Sequence, residues 1–115
     1  MSDTIHSKKT CQSVSRPLQD TLYVISGKWK ILILGVLMHN SYRFKELCRE
    51  LEISPRMLSK ELAEMEMNHL VSRTVIDTKP VGVIYAVTEY GKTLRPVLEA
   101  MADWGTNHRK KIAEN

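Results

Sequence analysis

Residues 43–69, RFKELCRELEISPRMLSKELAEMEMNH, constrain this chain more than any other stretch. Two amphipathic helical patterns meet there across a break at Ile53-Ser54-Pro55. In the first, Phe44, Leu47, Cys48 and Leu51 recur at the spacing of one helix face. In the second, Leu58, Leu62, Met65 and His69 share a stripe, with His69 read as a boundary histidine. Arg56, Lys60, Ala63 and Met67 lie on the opposite side, with Ser59 flanking them. Ser54 is placed to cap the free N–H groups of this helix, and Pro55 takes the first helical position, where its missing donor costs nothing. Glu61, Glu64 and Glu66 read as a solvated surface, with Lys60 and Glu64 an ordinary i, i+4 pair.

Beyond Leu70 the period changes to two. Val71, Arg73 and Val75 alternate with Ser72, Thr74 and Ile76, and Val83, Tyr85 and Val87 repeat the alternation after the turn Asp77 to Gly82. This pattern predicts a β-hairpin. Upstream, Pro17 suits a helix start, Leu18, Leu22 and Ile25 follow at helical spacing, and Ser26-Gly27 stops the helix. Another helix begins near Lys28, with Trp29, Leu32, Ile33, Val36 and Leu37 as its apolar stripe, and ends at His39-Asn40-Ser41. Thr88 marks the cap of a last helix, one face of which carries Leu94, Val97, Leu98, Met101, Trp104 and His108. Pro96 predicts a kink or a break in it. Residues 1–15 read as a flexible arm, 16–108 as one folded domain and 109–115 as a charged tail.

A chain of 115 residues with 43% apolar content is sized for one domain with a real core. Its apolar runs are too short to span a bilayer, and MSDTIHSKKT lacks the apolar core of a secretory leader, so the cytoplasm is the expected location. The cysteines, Cys11 and Cys48, do not suggest a disulfide scaffold, and the four histidines are scattered without metal-ligand spacing. Glycine-rich phosphate loops and nucleophile elbows are missing as well. The expectation is a chain with no cofactor and no metal that is not an enzyme. A net charge of +4 favours a polyanionic partner, although charge alone does not establish one.

Helix, turn, helix, then β-ribbon predicts a mainly α fold with a small β-hairpin, a winged helix-turn-helix, with extra N- and C-terminal helices for dimerisation. That fold sets one helix in the major groove of double-stranded DNA and a hairpin beside it. Ser54, Pro55, Arg56, Met57, Ser59 and Lys60, at the start of the fourth helix, form the candidate reading surface. Arg pairs bidentately with guanine, while Lys and Ser hydroxyls more often hold phosphates. Arg43 and Lys45, at the start of the third helix, are candidate phosphate contacts, and Lys79 is a candidate wing contact. Arg73 points either to DNA or to Asp77. Taken singly, each of these cations is also what a solvated helix face would carry.

Gly27-Lys28-Trp29, Arg43-Phe44-Lys45-Glu46-Leu47, Ile53-Ser54-Pro55-Arg56-Met57-Leu58, and Tyr85 followed by Thr88-Glu89-Tyr90-Gly91 resemble the HxlR-type branch of the MarR-like bacterial transcription regulators. The resemblance runs from about Pro17 to Gly105. It implies a winged-helix homodimer on an inverted repeat, joined through N-terminal and C-terminal helices. Two positions depart from the pattern. The family commonly opens its first helix with Cys-Pro, and some members sense oxidants or electrophiles through that cysteine; here the pair is Arg16-Pro17, with Cys11 nearby. The family also often has an arginine just before the second wing strand, where this chain has Gly82.

Leu18, Leu22, Leu98, Met101, Trp104 and His108 are the candidate dimerisation residues, Met101 and Trp104 being readable as core or as dimer surface. Cys11 lies near Lys8 and Lys9, whose charge favours a thiolate; it is either a sensor of redox or electrophile signals or an incidental thiol. The leading expectation is thus a DNA-binding regulator, possessing itself as partner and responding to a small molecule or oxidant. The competing one is a winged-helix protein-interaction module without an operator, which would usually lose the basic exposed helix face.

Overall fold

The computed structural model describes residues 8–77 and 79–114, with side chains from residue 13 onward. The elements run α1 Lys8–Ile25, α2 Trp29–Leu37, β1 Tyr42–Arg43, α3 Phe44–Leu51, α4 Pro55–Met67, β2 Val71–Ile76, β3 Gly82–Val87, α5 Glu89–Lys92 and α6 Arg95–Ala113. The chain is mainly helical with a small antiparallel sheet of order β1-β3-β2. The predicted hairpin is β2 and β3, in register from Val71 opposite Val87 to Ile76 opposite Gly82. β1 adds an unexpected edge strand, Tyr42 opposite Tyr85 and Arg43 opposite Ile84. A two-residue strand carries no readable period, so only the pairing reveals it.

The core forms where α2, α3 and α4 meet the sheet. Ile33, Leu34, Leu37, Leu47, Leu58, Leu62, Met65, Leu70 and Tyr85 are buried together. Burying a side chain of this size contributes roughly 1.5–3 kcal/mol before the entropy of ordering is subtracted. The inward face of α2 differs from the expected stripe. Leu34 is fully buried and Leu32 exposed, while Trp29 and Val36 are half-buried. Nearly every residue from Ile31 to Met38 is apolar, so periodicity alone does not select which side faces in. Cys48 is half-buried against the core, as its place on the α3 stripe implies.

Helix ends follow local chemistry. Gly27 turns left-handed (φ 86°) between α1 and α2. The Ser54 side chain accepts a hydrogen bond from the Met57 N–H at 3.2 Å, and Pro55 opens α4, as expected. α4 stops at Met67, earlier than the His69 stripe implied, and His69 is left-handed and exposed. Leu70 takes the inward place instead, its N–H bonded to the Met65 carbonyl at 2.9 Å. Thr88 caps α5, accepting from the Gly91 N–H at 2.9 Å. A Cβ on Gly91 would land on the Leu70 carbonyl oxygen, so only glycine lets α5 seat there.

The two terminal helices are longer than expected. α1 begins at Lys8, and Pro17 lies inside it instead of opening it. A proline removes one intrahelical bond without abolishing a helix, and residues 8–16 hold no glycine to interrupt it. Thr21 Oγ1 donates to the Pro17 carbonyl at 2.9 Å. Pro96 does produce the expected break: α5 ends at Lys92, and α6 restarts with Pro96 in its first turn. α6 then runs to Ala113, through most of the segment read as a tail. Among the described residues, no helix is long and apolar enough to cross a membrane.

Candidate nucleic-acid interface

Leu58, Leu62 and Met65 bury the inner side of α4. Pro55, Arg56, Met57, Ser59 and Lys60 are exposed on it, and Ser54 is exposed just ahead of it. The fold thus presents a capped helix N-terminus together with two cations one turn apart. The orphan N–H groups and the helix dipole both favour a negative partner at that end. Among the described residues Arg56 makes no ion pair, and Lys60 makes one loose contact, 3.6 Å to Glu64 Oε2.

The flanking candidates fall on three other elements. Lys45 is exposed in the first turn of α3. Arg43 precedes it as the N-cap; its backbone N–H donates to Glu46 Oε1 at 2.8 Å, which satisfies one of the free donors at the start of α3. The Arg43 side chain lies over Gly82, where a Cβ would meet its guanidinium. A guanidinium therefore stands at the loop end of the β2–β3 hairpin although residue 82 has no side chain. Arg73 is exposed on β2 opposite Tyr85 and forms no ion pair with Asp77. Lys79 is exposed in the β2–β3 loop, next to Thr78, which lies outside the described residues.

A charged group behind this surface escaped the sequence reading. Lys30, on α2, is only 5% exposed, and its Nζ lies 2.7 Å from Glu61 Oε2 and 2.7 Å from Glu64 Oε1. Glu61 is 6% exposed, so the expected solvated acidic surface is corrected here: Glu61 is buried, Glu64 half-buried, and only Glu66 faces solvent. The correction has a visible cause. Leu58, Glu61, Leu62 and Met65 fall at i, i+3, i+4 and i+7, so Glu61 occupies a position of the inward stripe. Lys30 interrupts an apolar run at a matching inward position of α2. Burial pulls the Lys30 pKa down, but the hydrogen bonds to Glu61 and Glu64 outweigh it and hold it above its ordinary 10.5. The hydrogen bond from Lys30, with its charge, holds Glu64 below its ordinary 4.5.

The candidate dimer residues sit on the two terminal helices. Leu18 and Leu22 are exposed on α1, and Met101, Trp104 and His108 on α6; Leu98 is half-buried against the core. Trp104 is 67% exposed and stacks on His108, with ring centroids 4.8 Å apart. Leu32 and Met101 also line an apolar groove of about 690 Å³ between α2 and α6, where Arg95 donates to the Met38 carbonyl at 3.3 Å. The backbone of Cys11 is helical, but its side chain lies outside the described residues.

Known proteins match this architecture. The family model of the HxlR-like helix-turn-helix matches residues 24–113. The uncharacterized HTH-type transcriptional regulator YdeP of Bacillus subtilis is 40% identical over 98 residues, covering 84% of this chain and 76% of its own. The redox regulator HypR in its reduced form superposes with a TM-score of 0.78 at 36% identity, covering 86% of this chain and 99% of its own. A MarR-family transcriptional regulator from Enterococcus faecalis V583 superposes with a TM-score of 0.70 at 32% identity, covering 95% and 94%. These relatives are regulators, not enzymes. The chain belongs to the HxlR-like helix-turn-helix family of transcriptional regulators.

Proposed function

We propose that the chain works in the cytoplasm as a homodimer that recognises an inverted-repeat operator through the start of α4 and the β2–β3 wing. The observation that carries this reading is the division of α4: Leu58, Leu62 and Met65 are buried while Arg56 and Lys60 are exposed beside a capped N-terminus. Arg56 reads a base edge, Ser54, Pro55, Met57, Ser59 and Lys60 line the groove and backbone, and Arg43, Lys45, Arg73 and Lys79 hold flanking phosphates. Exposed apolar residues on α1 and α6 support pairing about a two-fold axis. Footprinting of the DNA upstream of the chain's own gene tests this. The expected result is two protected half-sites about 34–36 Å apart, one helical turn, or a multiple of it. Absence of any protected site, with a partner protein captured in its place, would favour the interaction-module reading.

Similarity to HypR, a protein described as a redox regulator, supports an oxidant effector as a second reading. Cys11 is then the responding thiol. Replacing it, Cys11→Ser, should abolish oxidant-induced release from the operator. Unchanged release would end that assignment and leave the DNA-binding reading intact.

A further inference from the structure

Glu64 stands between two ammonium groups. Its Oε1 accepts from the buried Lys30 at 2.7 Å, while its Oε2 keeps a looser ion pair, 3.6 Å, with the exposed Lys60. Lys30 also binds Glu61 Oε2 at 2.7 Å, so one cation of α2 clasps two carboxylates three residues apart on α4. Two contacts separated along a helix fix both its rotation and its axial position against the neighbour. Buried ion pairs add little net stability but can specify geometry, since removing one partner strands the other.

The charge balance has a consequence for the outer surface. Without Lys30, the nearest cation for Glu64 among the described residues is Lys60. We infer that Lys30 is a positioning residue for DNA contact: by engaging Glu64 from inside the protein it leaves Lys60 available to a backbone phosphate. This rests on the proposed docking of α4. Exposure fits it, because Lys60 keeps 66% of its side-chain surface while Lys30 keeps 6%. A merely structural lysine would change how much protein is folded; this role changes how many phosphates the folded protein neutralises.

Salt dependence separates the two. Each lysine–phosphate contact contributes about 0.9 to the slope of log affinity against log salt. The full chain is titrated with a labelled random-sequence duplex over a salt series, which needs no knowledge of the operator. Lys60→Ala should lower the slope by about 0.9 per subunit. Lys30→Met/Glu61→Gln removes the inner cation and neutralises the carboxylate it would leave stranded. Its slope should fall to the Lys60→Ala value, should not fall further when Lys60→Ala is added, and should return to wild type when Glu64→Gln is added. A wild-type slope in Lys30→Met/Glu61→Gln would overturn the inference. So would lower affinity at constant slope that Glu64→Gln does not restore. Glu64→Gln alone, which does not depend on that variant folding, should leave the slope unchanged; a steeper slope would show Lys60 already held by Glu64 in the wild type and would also overturn it. If Lys60→Ala itself left the slope unchanged, the docking of α4 would fail, and the inference with it.

Discussion

Two helix ends close on non-glycine residues in the left-handed region, Glu52 (φ 53°) and His69 (φ 63°). Each precedes a buried residue whose N–H reaches back to the helix it leaves: Ile53 to the Cys48 carbonyl at 3.1 Å and Leu70 to the Met65 carbonyl at 2.9 Å. The geometry suits glycine, because a Cβ is penalised there by roughly 1–2 kcal/mol. Glycine loses about half of that advantage through its freer unfolded chain. Glu52→Gly and His69→Gly should therefore each stabilise the protein by about 0.5–1 kcal/mol in urea unfolding. A loss of stability in either would show that the side chain has a compensating contact. Neither position was legible in advance, since Glu and His give no sign of a left-handed turn. Ser54, Pro55 and Thr88 were legible because their signals are local: a hydroxyl within reach of a free N–H, or a ring that needs none.

Elements were readable where their hydrophobic period was clean. The α3 and α4 stripes face inward, apart from His69, and the β2–β3 alternation marked a hairpin that pairs, although Val75 on β2 is exposed. The clasp of α2 on α4 was hidden because lysine and glutamate default to solvent; the place of Glu61 on the inward stripe is a signal of burial, but it names no partner. This clasp makes the packing of α2 on α4 depend on pH. Glu64 is held below 4.5, so its contribution is present above that value and is lost as pH falls through the lower folded-state pKa. Lys30 is raised above 10.5, so its contribution is present below that value and is lost as pH rises through the higher one. Denaturation across pH should show an acid and an alkaline decline that Lys30→Met/Glu61→Gln/Glu64→Gln flattens. Equal declines in that variant would assign them elsewhere. Lys30→Met alone strands Glu61 and should cost about 3–5 kcal/mol.

The molecule is elongated, 61 × 37 × 23 Å, with a radius of gyration of 17.5 Å. A compact monomer of this length would have a radius of about 13 Å. The excess reflects α1 and α6, which meet the rest of the chain through the buried Ile25 and the half-buried Leu98 and carry Leu22, Met101 and Trp104 on their surfaces. A second copy is the occupant proposed for that surface, so sedimentation should report twice 13.2 kDa for the wild type. Trp104→Lys with Leu22→Lys should shift the chain to monomer and weaken operator binding, because two half-sites are then no longer read together. A monomeric wild type would contradict the pairing. At the wing, a Cβ on Gly82 would meet the guanidinium of Arg43, which comes from the neighbouring strand β1. The most direct test of the whole account is the affinity of Arg56→Ala for the footprinted operator, measured at one fixed salt concentration. A loss of about 1–3 kcal/mol, with relaxed preference at a single base pair, is the predicted result. Wild-type affinity with unchanged base preference would contradict the placement of α4 in the groove.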